Sequence, residues 1–177
     1  MKKLDAALAY AARGWAVLPL RGKLPAIAKA DGGRGVHDAT TDIDIITSWW
    51  GKDPDANIGL ACGQASGFWV LDVDGDEGEE SLAEMEKEHE ALPETVEQLT
   101  GNGRHLLFKF NGEAVQNSVC FRPGLDTRAD GGYIVAAPSY HKASKKLYAW
   151  EVDHDPEDVD VVLAPGWLLE LVAENAN

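Results

Sequence analysis

The sequence predicts an α+β fold, a single domain over residues 1–177, and three observations carry that prediction. Helical and strand-like patterns are mixed along the chain without the regular alternation that builds a parallel α/β sheet. Apolar residues make up 45% and charged residues 26% of the 177 positions, enough for a buried core and too ordered a composition for a disordered chain. No run approaches 18 apolar residues, which excludes a membrane span built on one helix.

Leu4, Ala7, Leu8, Ala11 and Ala12 recur at helical spacing, and Gly14 supplies the stop. The start resembles a secretory leader, but Asp5 and Arg13 interrupt any apolar segment, so the expectation is an amphipathic helix in a cytoplasmic protein. Trp15 to Leu20 suits a strand, with Pro19 at or near a sheet edge. Residues 21–40 are rich in glycine and read as a long loop, a length that is often functional. Thr41 or Asp42 caps a short helix through Ile45, Ile46, Trp49 and Trp50. Asn57 to Ala61 and Phe68 to Leu71 read as strands around the turn Gly63–Gly67. Gly78 to Glu90 is a charged helix whose narrow apolar side holds Leu82 and Met85. His105 to Phe110, Tyr133 to Ala137 and Tyr148 to Trp150 read as strands, and Pro165 opens a closing helix.

Two cysteines, Cys62 and Cys120, form no CxxC or CxxH spacing, which excludes a zinc site of that kind and a disulfide framework. Their apolar surroundings predict two buried thiols. The net charge of −14 is concentrated: Asp72 to Glu97 holds 12 acids and one base, and Glu151 to Glu174 holds 8 acids and no base. The rest carries 10 acids against 15 bases, so a phosphate-bearing partner is permitted over a limited surface.

Three segments carry possible chemistry. In Phe68-Trp-Val-Leu-Asp72-Val-Asp74-Gly-Asp76 an apolar strand ends in alternating carboxylates. Residues two apart on a strand share a face, so Asp72 and Asp74 point together, and a divalent cation relieves their repulsion. Magnesium or manganese suits such oxygen donors. A solvated strand end remains the alternative. An EF-hand does not fit, because Glu77 stands where glycine is needed and Ala83 where a bidentate Glu is needed. The second segment, Thr100-Gly-Asn-Gly-Arg104-His105, combines close-approach glycines with two phosphate donors; the alternative is a hairpin turn and a structural histidine. The third is Gly124-Leu-Asp126-Thr-Arg128. Asp126 could complete a three-carboxylate metal site, with Arg128 on the same face to balance charge or hold phosphate, or the two form a plain surface ion pair. Asp130, before Gly131 and Gly132, reads as a turn former.

In this order the segments resemble the bifunctional DNA primase/polymerase (prim-pol) N-terminal domain of the archaeo-eukaryotic primase superfamily. The resemblance runs from Ala6 to about Leu171 through Ala11-Ala-Arg-Gly-Trp-Ala-Val-Leu-Pro19, Gly22-Lys-Leu-Pro25, Ala39-Thr-Thr-Asp42, Trp49-Trp50, Ala56-Asn-Ile-Gly59, Ser66-Gly67, Leu71-Asp-Val-Asp-Gly75, Arg104-His105, Gly124-Leu-Asp126, Gly131-Gly-Tyr133, Pro138-Ser139 and Tyr148-Ala-Trp150. The family's second glycine pair is Asn102-Gly103-Arg104 here, and its Pro-Pro-Ser is Ala137-Pro138-Ser139.

The resemblance implies a two-lobed fold in which an RRM-like catalytic sheet carries the acidic strand beside an N-terminal α/β part. It implies template-directed nucleotidyl transfer by a two-metal mechanism, in replication of a phage, plasmid or integrated element, in the host cytoplasm if phage-encoded. Asp72, Asp74 and Asp126 would hold Mg²⁺ or Mn²⁺, and His105 would contact the incoming triphosphate. Arg128, Arg104 and Lys23 are further nucleotide-binding candidates, and Lys142, Lys145 and Lys146 surround a turn that reads by default as a solvated loop, with contact to template backbone as the alternative. The implied partners are a DNA template and primer, dNTPs and NTPs, and a replicative helicase, either fused or separate, since no helicase domain lies in this chain. The rival readings are a non-catalytic nucleotide or single-stranded-DNA module that recruits a helicase, and a metal-dependent phosphodiesterase.

Overall fold

In this computed structural model, which describes residues 1–112 and 114–175, the apolar patterns are realised as four helices and twelve strands among the described residues. Helix α1 (Lys3–Ala12) buries Ala6, Ala7, Tyr10 and Ala11 along one stripe. Strand β1 (Val17–Arg21) turns back into the two-residue β2 (Leu24–Pro25). Two short 3-10 turns, Lys29–Asp31 and Gly35–Asp38, organise the glycine-rich stretch that follows. Asp42 then caps α2 (Ile43–Lys52), its Oδ1 accepting from the N–H groups of Asp44 and Ile45 at 2.9 and 3.0 Å. Ile46 and Trp50 face the core, while Ile45 is exposed.

Strand β3 (Asn57–Ala61) leads to β4 (Phe68–Asp74), which runs beyond the apolar segment so that both carboxylates belong to the strand. Helix α3 (Gly75–Glu88) begins at the next residue, with Asp76 and Glu77 in its first turn where negative charge is favoured. Next come β5 (Glu97–Leu99), β6 (Gly103–Lys109), β7 (Ser118–Arg122), β8 (Leu125–Arg128) and β9 (Tyr133–Ala136). A small hairpin of β10 (Tyr140–His141) and β11 (Lys146–Leu147) precedes β12 (Ala149–Trp150) and α4 (Gly166–Glu174).

The strands form a four-stranded sheet in the order β2-β1-β3-β9 and a six-stranded sheet in the order β12-β5-β6-β4-β8-β7, with antiparallel pairing between neighbouring strands. The class is therefore mixed α+β. One face of the larger sheet, through Phe68, Val70 and Leu107, shares a core with Ile58, Leu60 and Ile134 of the smaller sheet and with α1 and α2. Its other face, through Trp69, Leu71, Leu106 and Phe108, is covered by Leu82 and Met85 of α3 and by Leu168 and Val172 of α4. No helix among the described residues is long and apolar enough to cross a membrane.

Pro19 lies near a sheet edge, on the second strand of its sheet; β2 pairs only with Leu20 and Arg21, so the ladder asks for no N–H from Pro19. One local expectation is corrected. Cys62 is buried, but Cys120 is exposed, because it stands in the irregular edge strand β7 at a positive φ of 57°.

Gly103 opposes Asp74 across the β4–β6 ladder, and a Cβ there would lie 1.9 Å from the Val73 carbonyl oxygen. Gly103→Ala is expected to cost about 1–3 kcal/mol of unfolding free energy, read as a lower urea midpoint with an unchanged slope.

Candidate active site

Strand β4 is paired along both edges. Its register with β6 sets Asp72 opposite His105, and its register with β8 sets Asp72 opposite Asp126. Directly opposed residues of an antiparallel pair share a face, so these three side chains emerge together, and Asp74 joins them two residues on. The same face carries Phe68 and Val70, which are 1% and 0% exposed. It thus passes from core, to the half-buried Asp72, to the exposed Asp74 within one strand.

This gradient sets the electrostatics. Burial, and then the neighbouring Asp126 carboxylate, push the Asp72 carboxyl up to about 6 against the opposing pull of Arg128. Burial also pushes His105 down to about 3, helped by the Arg128 and Lys23 cations, so its imidazole is neutral. His105 Nε2 lies 3.5 Å from Asp72 Oδ1, and its Nδ1 lies 3.0 Å from Gln98 Nε2.

The other two carboxylates have their own partners. Asp126 accepts from the Cys120 N–H at 2.8 Å and from Arg128 Nη2 at 3.1 Å. Asp74 Oδ1 accepts from Asn102 Nδ2 at 3.0 Å. The register brings the three onto one face, yet among the described residues no three His, Cys, Asp or Glu side chains are placed as a metal-holding set. The donor chemistry nevertheless fits a hard divalent ion: all donors are carboxylate oxygens with lone pairs to spare, and Asp72 is short of positive charge.

Asp72, His105 and Arg128 open into a cavity of about 490 Å³, in the range of small-ligand sites. Lys23 lines it from the β1–β2 turn, whose Lys23 carbonyl accepts from Tyr133 Oη at 2.7 Å. Tyr133 and Tyr148 complete the wall.

Arg104 does not join this group. Successive strand residues point to opposite faces, so Arg104 projects away from His105. There Glu79 grips it through two contacts of 2.8 and 2.9 Å, and Glu97 through one of 3.1 Å. Asp130 also stays out, its Oδ1 accepting from the Gln64 N–H at 2.6 Å. Tyr148 and Asn117 line the pocket with no role assigned from the sequence, although Tyr148 lies inside a matched block, and behind the pocket the buried Gln98 touches His105, its one signal in the sequence being its two-residue spacing from buried Val96.

The family profile described as bifunctional DNA primase/polymerase, N-terminal, matches residues 7–167. No curated protein matches the chain.

Folded Asp72 binds its proton more tightly than the unfolded chain does. The associated stability is full below about pH 4 and is lost as pH rises through about 6. In EDTA, Asp72→Asn is expected to match wild type near pH 4 and to exceed it at pH 8, by about 1–3 kcal/mol in urea denaturation.

Proposed function

The chain belongs to the bifunctional DNA primase/polymerase N-terminal family, and on that premise we propose that it is a template-directed nucleotidyltransferase whose centre is the Asp72–His105–Asp126 face of β4, β6 and β8. The observation that carries this reading is the double register of β4, with a neutral imidazole on one side of Asp72, a second carboxylate on the other, and cationic Arg128 and Lys23 in the same cavity. An anionic carboxylate edge beside cationic donors suits the transfer of a nucleoside phosphate better than it suits an apolar ligand. The six-stranded sheet is then the RRM-like catalytic sheet, and the four-stranded sheet with α1 and α2 the N-terminal α/β lobe beside it.

Asp72, Asp74 and Asp126 would hold Mg²⁺ or Mn²⁺, whose two-ion arrangement supplies charge neutralisation at the attacking and leaving oxygens when bound. The chain's own residues do the rest. His105, Arg128 and Lys23 receive the triphosphate and fix its direction, which is the positioning contribution to the rate. Tyr133 and Tyr148 wall the nucleoside end. In the transfer, the primer 3′-hydroxyl loses its proton to water, its oxygen bonds to the α-phosphorus, and the bond to the bridging oxygen breaks to release pyrophosphate.

The DNA partner is drawn to the basic residues away from the acidic segments. Lys3, Arg21, Lys142 and Lys145 line a groove with Tyr140 beside the β10–β11 hairpin, where these four cations outnumber the two carboxylates Asp53 and Asp55, and Lys23 lines the neighbouring cavity. The setting we propose is replication of a phage, plasmid or integrated element, with dNTPs and NTPs as the nucleotide pool and a replicative helicase as partner.

A primed template with labelled dNTPs and Mg²⁺ or Mn²⁺ is expected to give lengthened strands. Asp72→Ala or Asp126→Ala should cut extension more than about 100-fold, beyond the loss typical of supporting groups around a metal. Shortened strands would instead identify a phosphodiesterase, and nucleotide binding without product a recruiting module. Separately, Lys142→Ala/Lys145→Ala should weaken single-stranded DNA binding and lower its log–log salt slope by about 1.4, at roughly 0.7 per lost phosphate contact. Fluorescence anisotropy across a salt series measures both.

A further inference from the structure

Gln98 is the one polar side chain of β5 that is wholly buried, at 0% exposure, and each of its amide atoms has a partner. Its Oε1 accepts from the Ala137 N–H at 2.8 Å, which fixes which end of the amide is oxygen. Its Nε2 therefore carries the two hydrogens. One goes to the Val135 carbonyl at 2.8 Å, and the other points at His105 Nδ1, 3.0 Å away. An amide NH₂ donates and does not accept, so Nδ1 must offer a lone pair. A neutral imidazole then carries its proton on Nε2, the nitrogen that faces Asp72 and the cavity.

We propose that Gln98 is a positioning residue that locks His105 in the Nε2–H tautomer, so that the cavity-facing nitrogen is permanently a hydrogen-bond donor to the phosphate oxygens of an incoming nucleoside triphosphate. This rests on the nucleotidyltransferase reading for the identity of the ligand, but the tautomer itself does not. The lock draws its rigidity from the neighbouring sheet. Strand β9 is an edge strand, and Val135 C=O and Ala137 N–H lie on its free side. Gln98 satisfies both, as a rung of a missing strand would. The amide can neither flip nor drift without leaving two buried backbone groups unpaired. His105 is thereby held by a side chain from β5 whose other contacts are to the opposite sheet.

Long-range ¹H–¹⁵N correlation spectra of histidine-labelled, nucleotide-free wild type are expected to show His105 with a bare, pyridine-type Nδ1 and a protonated Nε2. A protonated Nδ1 in that spectrum overturns the proposal without any variant. Gln98→Glu offers Nδ1 an acceptor and should move the proton to Nδ1. Gln98→Met removes the donor and should give a mixture of tautomers. In whichever variant keeps a wild-type circular dichroism spectrum, KM for the dNTP on a primed template should rise, about tenfold for Gln98→Glu through the loss of one charge-assisted hydrogen bond and about threefold for the tautomer mixture of Gln98→Met, while kcat changes less than about twofold. A folded variant with an altered tautomer and an unchanged KM, or with an unchanged tautomer, overturns the role. Because the tautomer is read without nucleotide, its failure is distinguishable from a failure of wild type to extend primers.

Discussion

Everything at the cavity depends on β4 being a strand that is apolar at one end of a face and anionic at the other. Its two ladders cannot slip by one residue, because Phe68 and Val70 would then leave the inter-sheet core and Trp69 and Leu71 the helix-covered core. The hydrophobic effect on the first half of the strand thus dictates where the carboxylates of the second half emerge. Asp72 is held in partial desolvation beside Asp126 by packing energy gained elsewhere, and the raised affinity of Asp72 for its proton records the cost. Under the proposed function, this crowding is what a bound cation would relieve.

The two sheets meet at the cavity through polar as well as apolar contacts. Ala137 is the point of convergence: its N–H goes to Gln98 of the larger sheet, and its carbonyl accepts from Tyr10 Oη of α1. Tyr10 Oη also accepts from Trp150 Nε1 at 3.0 Å. The N-terminal helix, the edge of the small sheet and both β5 and β12 are therefore tied within a few residues of His105. Such cross-links let a cavity lined by two sheets keep a fixed width, which supports a site whose task is alignment.

Much of this was legible in the residues, and the gaps have physical causes. The helices around Ala7, Trp50, Leu82 and Leu168, and the strands holding Ile58, Val70, Leu107 and Val135, announce themselves because their apolar spacing matches their burial. Strand β5 does not, since Glu-Gln-Leu buries only a glutamine, and β7 does not, since its bulge breaks the alternation. Asp126 was reached through an apolar neighbour, and strand spacing set Arg128 on its face. Arg104 falls outside the site because the strand begins at Gly103 and not at His105, and alternation then sends Arg104 to the other face. Gln98 could not be found from its own chemistry, because its partners are backbone groups 37 and 39 residues away, one a carbonyl and one an amide.

Helix α3 packs on the face of the large sheet opposite the cavity and turns its carboxylates to solvent there, while the cations gather around Lys23, Arg128 and the small hairpin. The charge of the molecule is thereby uneven, the carboxylates of α3 lying on the other side of the sheet from the cations of the cavity. A polyanion drifting toward it would feel a torque before any contact forms, swinging α3 outward and presenting the opening first. Association would then be guided more by orientation than by net attraction, and added electrolyte would blunt that guidance.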